Sequence, residues 1–216
     1  MIKKLAVIAG LLAGLFSLTF LEGAFAATPQ CQPTQAIEEG PFYLSNSPKR
    51  SDVTDDQPGK ALTLKFRIVD TKCKPIKGAR VDIWYANADG VYSGVASKGD
   101  DIGAGTNSGM FLRGTQVSDG KGIVTFKGIY PGWYPARTIH IHEKIWISNK
   151  EVLTTQTYFT DAQNAAVMAM APYNARGPQR NTNKSDMVLN RGGINLTAAL
   201  MKLKGSTASM KFTIAR

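Results

Sequence analysis

Cysteine and histidine are scarce in this chain of 216 residues, which has two of each. Neither cysteine has a second potential ligand nearby in sequence, which argues against a cysteine-based metal site. The chain also lacks an internal repeat, a low-complexity tract and any basic cluster interleaved with aromatic residues. Without such a cluster or a nucleic-acid-binding motif, the formal net charge of +10 favours small or polymeric anions and not nucleic acid.

Long hydrophobic runs are absent except at the N-terminus. Two lysines at positions 3 and 4 precede an uncharged apolar segment from Leu5 to Leu21, and Ala24-Phe25-Ala26 supplies the small residues of a cleavage site. This pattern predicts a secretory signal peptide over residues 1–26, with an uncleaved membrane anchor as the alternative. We therefore expect a periplasmic or secreted protein with no stable membrane insertion after cleavage.

The segment that follows, residues 27–60, is rich in Pro, Ser and Asp and predicts an irregular arm. Cys31 lies in this arm and Cys73 in the body of the protein. Outside the cytosol an even pair of cysteines usually forms a disulfide. Such a link would contribute about 4 kcal/mol in the chain-entropy model and would fix the arm to the body.

Residues 61–216 form the predicted body, one domain built from short segments of alternating hydrophobicity. The clearest segment, residues 61–69, places four large apolar side chains on one face at a period of two. Similar strands are predicted at 79–85, 123–126, 138–147, 152–159, 194–203 and 210–214, and only residues 162–170 look helical. Regularly spaced strands separated by turn residues indicate an all-β protein, an antiparallel β-sandwich or barrel.

The two histidines, His140 and His142, are two residues apart on a predicted strand, so both imidazoles project from one face. This spacing favours a metal site, and imidazole suits Zn, Cu, Fe or Ni. Glu143 points to the opposite face and is not a candidate third ligand. Tyr134 follows a Pro-Gly turn and lies just before the same strand. It is either a tyrosine packed in the turn or a metal ligand, and a tyrosinate ligand would favour a ferric ion.

A series of short motifs runs along most of the chain. They are Gly40-Pro41-Phe42-Tyr43, Gly78–Trp84, Ala86–Tyr92, Phe111–Gly114, Asp119–Gly122, Pro131–Tyr134, Arg137–His142 and Thr155–Phe159. Taken together and in this order, they resemble the intradiol ring-cleavage dioxygenases, the family of protocatechuate 3,4-dioxygenase and catechol 1,2-dioxygenase. The resemblance implies a prealbumin-like β-sandwich.

The resemblance also implies a ferric centre, Fe(3+), and assigns its ligands. These are Tyr92, Tyr134, His140 and His142. Tyr134 would be displaced when a diol binds the iron and would then accept a substrate proton. Tyr92 would stay bound and give the centre its colour.

Other positions match pocket residues of the family. Arg137 would stabilise the electron-rich diolate as oxygen attacks, and Gln156 would form a hydrogen bond near the bound oxygen. The arm residues Gly40, Pro41 and Tyr43 would form a wall of the substrate pocket.

The implied reaction is cleavage of a catechol-type diol by O2 between its hydroxylated carbons, giving a cis,cis-muconate-type diacid. The segment between Tyr134 and Arg137 is shorter than in the cytoplasmic members of the family, and together with the signal peptide it points to an exported branch and leaves the identity of the diol open. The sequence also leaves the oligomeric state open, a homo-oligomer included. Two other classes stay open. A non-catalytic β-sandwich binding module would have lost ligand positions, whereas an exported zinc or copper protein would use only the histidines.

Overall fold

In a computed structural model, the structure describes residues 30–95 and 109–215. The predicted signal peptide, residues 1–26, lies outside these residues. In the described part, no helix combines the length and the apolar character that crossing a bilayer requires.

Within residues 30–95 and 109–215, eight strands form two four-stranded sheets that pack face to face. They are β1 (Ala61–Asp70), β2 (Arg80–Trp84), β3 (Arg113–Val117), β4 (Ile123–Ile129), β5 (His140–Ile147), β6 (Lys150–Tyr158), β7 (Lys202–Lys204) and β8 (Thr207–Ile214). One sheet has the order β4-β1-β8-β7 and the other β3-β2-β5-β6. All pairs are antiparallel except β1 with β8. The predicted all-β sandwich is confirmed, with one parallel pair that the alternation did not indicate.

Alternation along β1 shows why these segments become strands. Leu64, Phe66 and Ile68 have no exposed surface and face the second sheet, whereas Lys65 and Arg67 face solvent. Burial of one such side chain stabilises the fold by about 1.5–3 kcal/mol relative to exposure. The inward-facing apolar residues of both sheets join in one core between them.

Helices connect the later strands. The predicted helix is confirmed as α1 (Asp161–Met168), which begins with a capping box between Thr160 and Gln163. Two further short helices, α2 (Met187–Arg191) and α3 (Leu196–Ala199), and two 3-10 helices at Tyr173–Arg176 and Asn183–Ser185 follow. The strand predicted at 194–203 is therefore wrong over most of its length, because Asn195 caps a helix there. Of the predicted range, the part that forms a strand is the start of β7 (Lys202–Lys204).

The arm contains no helix or regular strand over residues 30–60. A disulfide joins Cys31 to Cys73, as predicted. The Thr34 amide then donates to the Thr213 carbonyl of one sheet at 2.9 Å, and the Ile37 amide donates to the Thr154 carbonyl of the other at 3.0 Å. The arm thus covers the exposed edge of β6 and ties the two sheets together.

Candidate metal centre

The outer face of the β3-β2-β5-β6 sheet carries the histidines. His142 is in register with Trp84 of β2 and Gln156 of β6, and His140 is in register with Tyr158. His142 stacks on the Trp84 ring with the centroids 4.8 Å apart and the planes 11° apart. The strand pairing therefore fixes both imidazoles on a rigid surface.

Four donor atoms converge there from three parts of the chain. The Nε2 atoms of His140 and His142 are 3.0 Å apart. Tyr92 Oη lies 3.1 Å from His142 Nε2 and 3.5 Å from His140 Nε2. Tyr134 Oη lies 3.2 Å from His140 Nε2. The structure thus brings together the two tyrosines and two histidines that the resemblance assigned as ligands.

Two interlocked loops deliver the tyrosines. The Gly132 amide donates to the Asn87 carbonyl at 2.9 Å, and a Cβ at Gly132 would lie only 2.2 Å from the Ala88 carbonyl oxygen. A Cβ at Gly90 would likewise meet the Trp133 carbonyl oxygen at 2.1 Å. Only glycine permits this approach, which sets the loop before Tyr92 against the loop before Tyr134.

The spacing of the four atoms fits a single metal ion. Bonds of about 2.0–2.2 Å, as zinc makes to nitrogen and oxygen, place neighbouring donors about 3.0–3.5 Å apart around one ion. Among the described residues, no group of three or more His, Cys, Asp or Glu side chains is placed to hold a metal. The tyrosine oxygens are therefore needed to complete a donor set, and hard phenolate donors suit a highly charged ion.

Both imidazoles are set up as neutral donors. Burial, followed by the charge of Arg137, holds the pKa of His140 and of His142 well below 6.5. His140 Nδ1 is 2.7 Å from the Thr138 carbonyl oxygen. Because a carbonyl only accepts, Nδ1 carries the proton and Nε2 presents its lone pair to the cluster.

The phenols need a cation to ionise. Burial raises the pKa of Tyr92 well above 10, and the neighbouring Tyr134 raises it further. Burial also raises the pKa of Tyr134, against the opposing charge of Arg137. Two protonated phenols facing two neutral imidazoles leave the cluster without internal charge, so a bound cation would supply the charge that phenolates require.

Arg137 is held beside the cluster by a buried network. Its Nε donates to Asp186 Oδ2 at 2.9 Å, and its Nη2 donates to Gln156 Oε1. Tyr158 Oη donates to the same Gln156 oxygen at 2.8 Å, and Gln156 Nε2 donates to the Glu38 carbonyl at 2.7 Å. The Gln156 amide is thus engaged on the arginine and the arm, so its direct effect is to orient Arg137.

The arm segment approaches the cluster, but not through all the predicted residues. A Cβ at Gly40 would lie 3.4 Å from His142 Cε1, and Pro41 is exposed. Tyr43 points elsewhere: its hydroxyl donates to Asp82 Oδ2 at 3.1 Å. Phe42 takes its place, stacked on Tyr92 with ring centroids 4.3 Å apart and edge-on to Tyr134 at 6.1 Å.

Sequence reasoning missed three residues of this site. Tyr158 is two residues from Gln156 on β6, so the strand period of two could have found it. Phe42 belongs to the Gly40–Tyr43 motif, but it lies in the irregular arm, where no periodicity marks it. Asp186 gives no comparable signal, because it is 49 residues from Arg137 and only the fold brings them together.

The fold and these side chains define an all-β sandwich with a candidate two-tyrosine, two-histidine metal centre. A family model described as "Dioxygenase" matches residues 38–190. The chain belongs to the intradiol ring-cleavage dioxygenase family.

Individual relatives agree with this assignment. An intradiol ring-cleavage dioxygenase from Tetranychus urticae superimposes with a TM-score of 0.78 at 29% identity, covering 86% of this chain and 95% of that one. A dioxygenase domain from Streptomyces sp. SirexAA-E gives a TM-score of 0.59 at 30% identity, over 86% and 98%. A catechol 1,2-dioxygenase from Pseudomonas sp. is 27% identical over 63% of this chain and 50% of its own length. The chain thus spans about half the length of this curated relative.

Proposed function

We propose that this protein cleaves a catechol-type aromatic diol between its hydroxylated carbons, using O2 and an iron(III) ion. The convergence of four donor atoms at 3.0–3.5 Å carries the proposal. Tyr92, Tyr134, His140 and His142 would hold the iron. When bound, it would act as a Lewis acid that chelates and activates the diol. Both atoms of O2 would be incorporated into the product, a cis,cis-muconate-type diacid.

Tyr134 is the donor suited to exchange with substrate. It is partly exposed, whereas Tyr92, His140 and His142 are 2% exposed or less. A phenolate oxygen at the edge of the cluster can accept the proton of an incoming hydroxyl, which makes Tyr134 Oη the proposed general base.

Arg137 is the proposed electrostatic group. Its side chain is 6% exposed, and a carboxylate and an amide oxygen fix its orientation. A preorganised buried cation stabilises negative charge that develops on the diol without reorganising during the reaction. The Phe42 ring and Gly40 bound the arm side of the cluster and would exclude water there.

Export is a further part of the proposal. It is supported by the leader pattern of residues 1–26 and by a disulfide, which persists in oxidising compartments. The substrate is then a diol outside the cytosol.

A visible spectrum with metal analysis, recorded before and after anaerobic addition of catechol, tests the function. We expect bound iron and a broad tyrosinate-to-iron band that moves to longer wavelength with catechol. The Tyr92→Phe variant should lose most of the colour. The control Tyr85→Phe, which changes a buried tyrosine of the sandwich core, should keep it.

Other outcomes would decide against the proposal. Bound zinc or copper with no colour after ferric reconstitution would favour the metal-binding alternative. Absence of any metal would favour a binding module. Iron with full colour in the Tyr92→Phe variant would remove Tyr92 from the ligand set.

A further inference from the structure

The outer face of the other sheet, β4-β1-β8-β7, carries charge of one sign. The register of these strands places eleven outward side chains on a grid of three levels. Six of them are basic: Lys65, Arg67, Lys127, Lys202, Lys204 and Lys211. The others are Thr63, Ile123, Thr125, Thr207 and Ser209. None of the eleven is acidic, and all six basic residues are exposed. We call this grid the basic face.

The charges of the basic face are not balanced within the described part of the chain. None of the six cations forms an ion pair there. Lys211 Nζ donates to Cys31 Sγ at 3.3 Å, and Arg67 lies in register with Lys211 on the neighbouring strand. Two carboxylates stand at the rim, Asp52 near Lys127 and Asp119 near Lys65. Hydrogen bonds are the main cause that lowers the pKa of each carboxyl, and the nearby lysine lowers it further. With six basic and no acidic side chains among its eleven positions, the basic face keeps a net positive charge, which an external anion would neutralise.

The shape of the grid distinguishes between anionic partners. With strands about 4.8 Å apart and a two-residue step of about 6.7 Å, the basic face spans roughly 14 Å by 13 Å. Its cations are spread in two dimensions and do not follow a groove. None of the eleven positions carries an aromatic ring on which a base or a sugar could stack. A flat array of anions fits this surface better than a single polymer strand.

We propose that the basic face adsorbs the protein to the surface of an anionic bilayer, without insertion. The candidate metal centre lies on the outer face of the opposite sheet, so adsorption leaves it open to diols from solution. This proposal does not depend on the enzymatic one, because it uses none of the same side chains.

Vesicle sedimentation tests the proposal, using protein purified after export. Vesicles of phosphatidylcholine with 30% phosphatidylglycerol should bind the protein at low salt and release it at 0.5 M salt, while pure phosphatidylcholine should not bind it. Each cation near such a surface contributes about fivefold to partitioning. The variant Lys65→Gln/Lys202→Gln/Lys204→Gln should therefore bind about 100-fold more weakly. The control Lys77→Gln/Lys150→Gln/Lys184→Gln removes three exposed lysines elsewhere and should stay within a few-fold of the unchanged protein.

The remaining outcomes overturn the proposal. Equal weakening in both variants would show that only net charge matters. Binding to heparin with no binding to the anionic vesicles would replace the bilayer with a linear polyanion. Equal binding to pure phosphatidylcholine would indicate an apolar contact. Thermal melts of both variants, matched to the unchanged protein, ensure that folded proteins are compared.

Discussion

Replacing Asp186 by asparagine would break one buried ion pair with almost no change in shape. The carboxylate has no exposed surface and accepts four hydrogen bonds. Oδ2 accepts hydrogen bonds from Arg137 Nε at 2.9 Å and from the Thr138 amide at 2.7 Å. Oδ1 accepts from the amides of Val188 and Leu189 at 2.9 Å each. Asparagine can still cap α2 through its oxygen, because Asn is as good an N-cap as Asp. Its NH2 group then faces two donors.

The expected cost follows from the uncompensated arginine. Breaking a buried ion pair from one side costs about 3–5 kcal/mol. For a chain of this length, each kcal/mol lowers Tm by about 2–4 °C, so we expect a fall of roughly 10 °C. Calorimetry or a circular-dichroism melt of iron-free protein measures it. The control Asp161→Asn changes a partly exposed carboxylate that accepts hydrogen bonds from Asn183 N and Gln179 Nε2, and it should cost under about 1 kcal/mol.

A double variant shows whether the loss acts through Arg137. Adding Arg137→Met to Asp186→Asn removes the stranded charge, so the double variant should lose less stability than the sum of the two single losses. The reasoning is refuted if Asp186→Asn melts within about 2 °C of the Asp161→Asn control, or if the two losses simply add.

Three further predictions concern the core, the disulfide and the tyrosine loops. Burial raises the pKa of Glu143 well above 4.5, so folded protein keeps a proton that the unfolded chain releases, and stability should fall as pH rises above about 4.5, by up to ~1.4 kcal/mol per pH unit. Glu143→Gln should flatten this slope in urea titrations from pH 5 to 8, and an unchanged slope would assign it to another group. Reduction of Cys31–Cys73, with a sequence separation of 42, should cost about 4 kcal/mol; an unchanged urea midpoint would contradict this. Gly132→Ala should force the two tyrosine loops apart and lower iron retention on dialysis against a chelator, whereas Gly120→Ala, where a Cβ meets nothing within 4 Å, should not.

The sequence indicated the strands whose side chains alternate cleanly, and it missed those whose burial depends on distant partners. Strand β3 was not predicted because Arg113 is fully buried there, with its guanidinium donating to the Ser93 carbonyl at 2.8–3.0 Å. A charged residue reads as exposed until its partner is known. The residues 194–203 have strand-like composition, but the cap at Asn195 selects a helix.

The residues of the candidate site also divide into those that the sequence indicated and those that only the fold revealed. Strand geometry alone paired His140 with His142, since residues two apart share a face. Tyr92 came only from the family resemblance, because a tyrosine after an Asp-Gly turn has no local mark of a ligand. Asp186 and Phe42 became visible once the chain was folded, as each acts through a residue far away in sequence.

Strand β5 faces the candidate metal centre on one side and the apolar core on the other. His140 and His142 project outward, while Ile141 and Ile145 project inward. Deleting or inserting one residue before His140 would turn His140 and His142 toward the apolar core and the isoleucines toward the candidate metal centre. A shift of one residue in the register of β5 would therefore disrupt the candidate metal centre and the apolar core at the same time. We therefore expect this strand to tolerate substitutions but not changes of length, which the loops on either side could absorb.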